Sequence, residues 1–191
     1  VQDKGEDSVK NASLLRNFEH DIRNDNWGQK FSQGHISAGY NSVGNLFDDD
    51  SDQTLALDAL LRRFIDRYYK THCSKQSLFM DSWPTDYDLE GWYVRLNQGG
   101  EISAHVHTGW VSGVLYIRVP EQRSQDEGNI EYSLRGYDLP VVRDDYPRKV
   151  IETAPGVLVL FPSSLPHRVI PFMSDDERIC IAFDMKPRRA R

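Results

Sequence analysis

The chain has 191 residues, 39% of them hydrophobic, and carries 29 acidic against 23 basic side chains for a formal net charge of −6. This length and apolar content predict a single domain, residues 1–191, with a core of its own. The acidic balance argues against a broad nucleic-acid face, which needs clustered cations to neutralise phosphates. No apolar run approaches the roughly 20 residues that cross a bilayer, so the expectation is a soluble, cytoplasmic protein with no membrane partner. The two cysteines, Cys73 and Cys180, stand in unrelated contexts and are read as free thiols.

Leu14, Leu15, Phe18 and Ile22 suggest a first helix, while the Gly-rich stretch 33–45 and the acidic run 48–52 read as loop. From Asp52 onward, Leu57, Leu60, Leu61, Phe64, Ile65 and Tyr68 recur at three- and four-residue steps. That spacing predicts an amphipathic helix, capped by Ser51 or Asp52, lying over one face of a sheet. Strand-like segments then follow at 78–83, 91–96, 102–106, 112–119, 129–134, 157–161, 168–170 and 178–185. About eight short strands separated by turn signals predict a mainly β fold with flanking helices: a double-stranded β-helix, or jelly-roll barrel. Residues 1–77 would support a barrel formed by 78–191. Residues 121–128 read as a hairpin loop, and 34–45 and 135–149 as loops over the barrel mouth that could form a substrate lid. The basic end, with Lys186, Arg188, Arg189 and Arg191, reads as a solvated tail.

The histidines carry the chemistry. His105 and His107 sit two apart in a segment that reads strand, turn, strand, so both imidazoles can point the same way. His167 follows an apolar strand ending at Pro162 and a short turn. Three such ligands leave coordination positions open, as a catalytic metal requires. His20, His35 and His72 fall in helical or loop stretches without partners at ligand spacing and are not read as ligands. In R-I-C-I-A-F-D-M, Ile179, Ile181 and Phe183 form one face, and Arg178, Cys180, Ala182 and Asp184 the other. An arginine on the small-residue face points into a barrel only at a cost that a carboxylate partner would offset.

In order, W-Y-V-R-L-N-Q-G-G-E-I-S-A-H-V-H, S-G-V-L-Y-I-R-V-P, P-G-V-L-V-L-F-P-S-S-L-P-H-R-V and D-D-E-R-I-C-I-A-F-D-M resemble the iron(II)- and 2-oxoglutarate-dependent oxygenases. More narrowly, they resemble a bacterial and phage subgroup with an H-x-H element, distantly related to prolyl hydroxylases. The resemblance spans residues 92–185, about half the chain. It implies a dioxygenase that binds Fe(II), 2-oxoglutarate and O2 and hydroxylates a substrate, a small molecule or a protein side chain, releasing succinate and CO2. His105 and His167 would be iron ligands, and Arg178 would bind the distal carboxylate of 2-oxoglutarate. His107 stands where most relatives carry Asp or Glu. This leaves two readings, His107 as the third ligand or His107 beside a site completed by water. Cys180 replaces a residue that is often Ser, and Tyr93, Asn97 and Tyr116 are candidate replacement donors to the cosubstrate. Two alternatives stand beside this reading: a cupin-like metal-dependent dioxygenase, and a non-catalytic metal-binding jelly-roll module. A purely structural jelly roll is a third. The cupin pattern is weakened by Val111 and Ser112 where cupins place Glu, and by Leu165 and Pro166 near the position of a Gly.

Overall fold

The structure is a computed structural model describing residues 6–24, 30–31, 34–74, 76–135, 140, 142–143 and 145–188. In chain order the elements are α1 (Glu6–Arg23), β1 (Lys30–Phe31), β2 (Ile36–Ser42), a 3-10 turn (Leu46–Asp48), α2 (Asp52–His72), α3 (Leu78–Asp81), β3 (Tyr87–His105), β4 (Val111–Arg118), β5 (Ile130–Ser133), β6 (Arg148–Ile151), β7 (Leu158–Pro162), β8 (His167–Val169) and β9 (Arg178–Pro187).

One strand joins the two halves of the barrel. The first part of β3 runs antiparallel to β9, from Tyr87↔Pro187 to Leu96↔Arg178. β4 flanks the other edge of β9, and β7 flanks β4. Past Leu96 the strand bends. Gly99 takes φ 75°, a conformation that favours glycine, and its N–H donates to the Phe172 carbonyl at 2.7 Å. The end of β3 then pairs with β8, β8 with β5, and β5 with β6. The result is two antiparallel sheets that share β3, the jelly roll expected from the strand spacing.

Side-chain alternation gives the first sheet two different faces. Leu89 and Tyr93 of β3, Val111, Leu115 and Ile117 of β4, and Ile179, Ile181, Phe183 and Met185 of β9 pack against Phe18 and Ile22 of α1 and Leu57, Leu61 and Ile65 of α2. The opposite face, with Val94, Val114, Tyr116, Cys180 and Ala182, meets Ile130, Tyr132 and Val169 of the second sheet inside the barrel. Helix α2 starts where its sequence predicts: the Ser51 hydroxyl accepts the Thr54 N–H at 3.3 Å, satisfying one of the unpaired donors of the first turn. Among the described residues no helix is long and apolar enough to cross a membrane.

Three sequence expectations are corrected. Residues 33–45 are not a continuous loop, because β2 occupies Ile36–Ser42 and pairs with β3. Gly39 reflects a close approach of backbones: a Cβ there would lie 2.5 Å from the Arg95 carbonyl oxygen. Residues 78–83 form no strand. Ser77 caps the short α3 by accepting the Met80 N–H at 3.3 Å, and Leu78 is 85% exposed, so no alternating apolar face exists for a sheet to cover. The excursion 135–149 ends in β6, which extends the second sheet against β5. Residues 136–139, 141 and 144 of that excursion, and Arg189 and Arg191 of the basic tail, lie outside the described residues.

Full burial of an aliphatic side chain contributes about 1.5–3 kcal/mol, and a cavity adds to the loss when it is truncated. Leu61→Ala, which empties a fully buried site, is expected to lower the unfolding free energy by about 2–5 kcal/mol. Leu55→Ala on the same helix, at a position 56% exposed, should change it by less than about 0.5 kcal/mol. Urea titrations of both variants followed by circular dichroism check the contrast.

Candidate metal centre

Register brings the three histidines together. His105 closes β3 and His167 opens β8, and the two are directly paired across the ladder. The turn after Pro162, held by the Leu165 N–H on the Pro162 carbonyl at 2.9 Å, sets the start of β8. Two residues past His105, the His107 backbone N–H donates to the Ser163 carbonyl at 2.9 Å, so this loop is fastened to the same turn. Ring centroids lie 4.3 Å apart for His105 and His167, 5.0 Å for His105 and His107, and 5.1 Å for His107 and His167. One ring nitrogen from each falls within 4.8 Å of the others, the spacing of ligands around one metal ion.

Hydrogen bonding fixes which nitrogens face inward. Nδ1 of His105 lies 2.9 Å from the Ser103 carbonyl and Nδ1 of His167 lies 3.0 Å from the Leu165 carbonyl. Both Nδ1 atoms therefore carry the proton, and Nε2 keeps the lone pair. Nδ1 of His107 lies 3.4 Å from Oδ1 of Asp184, an arrangement that leaves its Nε2 free as well. Burial pushes the His105 imidazolium down to about 3 and that of His167 down to about 4, with the neighbouring histidines adding to the depression. Neutral imidazoles with inward lone pairs are the form a cation binds. Flat faces hold the rings: Trp92 stacks on His107 at 5.6 Å, Phe161 lies edge-on to His167 at 4.6 Å, and His35 stacks on His105 at 4.9 Å.

The cluster opens into a cavity of about 580 Å³. Arg178, only 1% exposed, lines the same cavity. Its Nε donates to the Gly128 carbonyl at 2.9 Å, an Nη lies 3.5 Å from the Cys180 sulfur, and its Cζ sits 5.0 Å from the centre of the Tyr116 ring. Among the described residues no carboxylate pairs with it. A buried guanidinium without a counter-anion is costly, and its remaining donors suit an incoming carboxylate. Asn41 lines the cavity too. Its amide nitrogen donates to the Ser42 carbonyl at 3.1 Å, while its Oδ1 has no partner.

The other sequence candidates separate. Tyr116 lies inside the barrel beneath Arg178, where burial pushes its phenol up. Tyr93 lies in the helix-side core, on the face opposite Trp92 and Val94, because adjacent strand residues point to opposite sides of a sheet. Asn97 is exposed at the bend of β3 and does not line the cavity. Of three further cavity neighbours, two escape a sequence reading and one does not. His35 reaches His105 only through the pairing of β2 with β3. Tyr132 faces His167 across β5 and β8, and its buried hydroxyl has no partner. Asp184 shares the inward face of β9 with Arg178, which the alternation of that strand already indicated.

A family model described as "Putative 2OG-Fe(II) oxygenase" matches residues 90–184, the segment that holds all three histidines and Arg178. The chain is a distant member of the 2OG-Fe(II) oxygenases. No curated protein matches it in sequence. Among solved structures it is similar to a Pseudomonas putida prolyl-4-hydroxylase, at 21% identity and TM-score 0.61 over 93% of this chain and 88% of that one. It is also similar to HygX of Streptomyces hygroscopicus with nickel and 2-oxoglutarate bound, at 14% identity and TM-score 0.65 over 92% of this chain and 79% of that one. A third is a Trichoplax adhaerens prolyl hydroxylase in complex with a hypoxia inducible factor peptide fragment, at 14% identity and TM-score 0.62 over 93% of this chain and 78% of that one. At these identities the likeness establishes the oxygenase fold.

The depressed histidines link stability to pH. Their folded values of about 3 and 4 lie below the ordinary 6.5, so the unfolded chain binds the extra protons as pH falls. Their contribution is intact above pH 6.5 and is lost progressively on acidification toward the folded values. Each can add up to about 1.4 kcal/mol per pH unit to the slope in that window. The metal-free protein should lose stability between pH 6.5 and 4.5, and His105→Gln combined with His167→Gln should flatten that dependence. Urea midpoints across the range test it.

Proposed function

We propose that the protein is an iron(II)- and 2-oxoglutarate-dependent dioxygenase in which His105, His107 and His167 hold the metal and Arg178 anchors the cosubstrate. The observation that carries this reading is the buried Arg178, which has no carboxylate partner among the described residues and shares one cavity with three inward-facing histidines. The donor set fits the pair of ligands: neutral imidazoles suit a borderline divalent ion such as Fe(II), and a guanidinium fork suits the distal carboxylate of a dicarboxylic acid. When bound, iron(II) with 2-oxoglutarate and O2 supplies the oxidant that hydroxylates a substrate carbon, with succinate and CO2 as coproducts.

The chain's own groups then have defined tasks. The carbonyls of Ser103 and Leu165 orient two ligands, and the Trp92 face restrains the third. Arg178 would hold the distal carboxylate of the cosubstrate in the same cavity that the three histidines line. Ile102, Val114, Ile130 and Val169 form apolar wall that limits water in the cavity. The unpaired Oδ1 of Asn41 offers an acceptor to a substrate N–H or O–H group. The proposed substrate is a small molecule or a protein side chain, and from the segment 34–45 His35, Ile36, Asn41, Ser42, Val43 and Gly44 line the cavity that would receive it.

The test is the visible spectrum of the anaerobic protein with Fe(II) before and after 2-oxoglutarate is added. A new metal-to-ligand charge-transfer band is the expected result. Iron binding without the band would favour a cupin-like dioxygenase or a binding module, and absence of iron binding would leave only a structural barrel. In the same assay Arg178→Ala should bind Fe(II) normally while weakening 2-oxoglutarate by about 30-fold or more, as expected when a buried charged partner worth 2–5 kcal/mol is removed. Loss of iron binding with unchanged 2-oxoglutarate affinity would reverse the assigned roles.

A further inference from the structure

We propose that Asp184 is a positioning residue for the metal: it supplies through His107 the negative charge that most 2OG-Fe(II) oxygenases place on the metal directly. The inference rests on the reading of His105, His107 and His167 as ligands. Its starting point is an asymmetry among the three. His105 and His167 present their Nδ1 atoms to neutral backbone carbonyls, whereas His107, standing where relatives carry Asp or Glu, presents Nδ1 to a carboxylate 3.4 Å away. The carboxylate absent from the ligand position thus reappears one side chain further out, on a different strand.

Asp184 is held for that task. It is 3% exposed on the inward face of β9, across from Glu90 on β3 and Ser112 on β4. A carboxylate so buried is tolerated only when its oxygens are occupied. Ser112 Oγ donates to Oδ1 at 2.6 Å, and since a hydroxyl has one proton, the 2.8 Å contact from Ser163 Oγ is one that Ser112 accepts. Lys186 Nζ lies 3.2 Å from Oδ2 but is shared with Glu90 at 3.3 Å and with the Thr108 hydroxyl at 2.6 Å. One cation between two carboxylates leaves net negative charge beside His107. Such a carboxylate holds the ring orientation, fixes the tautomer and makes Nε2 a better donor to a metal.

The test compares anaerobic Fe(II) titrations of the wild type, Asp184→Asn, His107→Asp, and the double variant His107→Asp with Asp184→Asn, with circular dichroism confirming the fold of each. Asp184→Asn keeps shape and volume and is expected to weaken Fe(II) binding about 10–100-fold. In the His107→Asp background the sign should reverse. A carboxylate then sits on the metal beside a like charge at Asp184, and Asp184→Asn should strengthen binding. A purely structural role would lower affinity in both backgrounds or in neither, and either pattern overturns the proposal. If Asp184→Asn alone does not fold, the comparison of His107→Asp with the double variant decides. Wild-type protein that binds no Fe(II) would overturn the three-histidine reading itself, whereas wild-type binding with an unaffected Asp184→Asn overturns this inference alone.

Discussion

The ladder between β3 and β9 is the constraint on which the site depends. Ten consecutive pairs, from Tyr87↔Pro187 to Leu96↔Arg178, fix the two strands in one register, and a shift of one residue would turn every side chain of β9 to the opposite face. In the register observed, Ile179, Ile181, Phe183 and Met185 fasten the sheet to the helices, while Arg178, Cys180, Ala182 and Asp184 enter the barrel. Hydrophobic burial on one face thereby holds two charged groups on the other, at positions where neither stabilises the fold by itself. The continuation of β3 past its glycine bend then carries His105 into the second sheet, where β8 brings His167 opposite.

The interior that results is electrostatically unfinished. Three imidazoles each bring a ring nitrogen to a common centre, and a guanidinium lies buried with no carboxylate among the described residues to offset it. Each feature costs stability on its own, and a ligand of the opposite kind would relieve it: a cation for the ring nitrogens, an anion for Arg178. Local disagreement with the rules of a stable core is the expected signature of a binding site. Among the described residues the helix-side core shows no comparable burial of charge. Its buried cluster comprises aliphatic and aromatic side chains with Met185, so the stability that tolerates the site is supplied on the other face of the same sheet.

Much of this was legible in the chain, and the illegible parts share a cause. The 3.6-residue spacing of Leu57, Leu61 and Ile65 and the cap at Ser51 announced α2, and the alternation in residues 178–185 announced both faces of β9. The histidine pair at 105 and 107 is visible in the sequence, but β3 ends at His105, and His107 is set in place by its N–H on the Ser163 carbonyl rather than by strand alternation. Local signals misled where a tertiary neighbour decides: Gly39 looks like a loop residue until the Arg95 backbone is placed against it, and a charged, Pro-containing excursion hides the edge strand β6. Tyr93 and Asn97 read as candidate donors to the cosubstrate because they lie on strands flanking the ligands in sequence. Strand parity excludes Tyr93, and the bend at Gly99 exposes Asn97. The stacking of His35 on His105 depends on strand pairing across 70 positions, which no single-chain periodicity encodes.

The distribution of charge along the cavity also limits what it can admit. Lys186 is held between Asp184 and Glu90 at the end near His107, whereas Arg178 is the one buried cation on the inward row of β9 without a carboxylate beside it among the described residues. Between them the wall is apolar, formed by Val94, Val114, Ala182 and, from the second sheet, Ile130 and Val169. An anion is therefore favoured at the Arg178 end only, because the end near His107 sets one cation, Lys186, between two carboxylates and keeps a net negative charge. The unpaired Oδ1 of Asn41, whose amide nitrogen is already committed to the Ser42 carbonyl, adds a single acceptor to that wall. Under the proposed function such a cavity would suit a carboxylate at Arg178 and, beside it, a molecule with an apolar body and a hydrogen-bond donor, the division of labour expected of a cosubstrate and a substrate sharing one chamber.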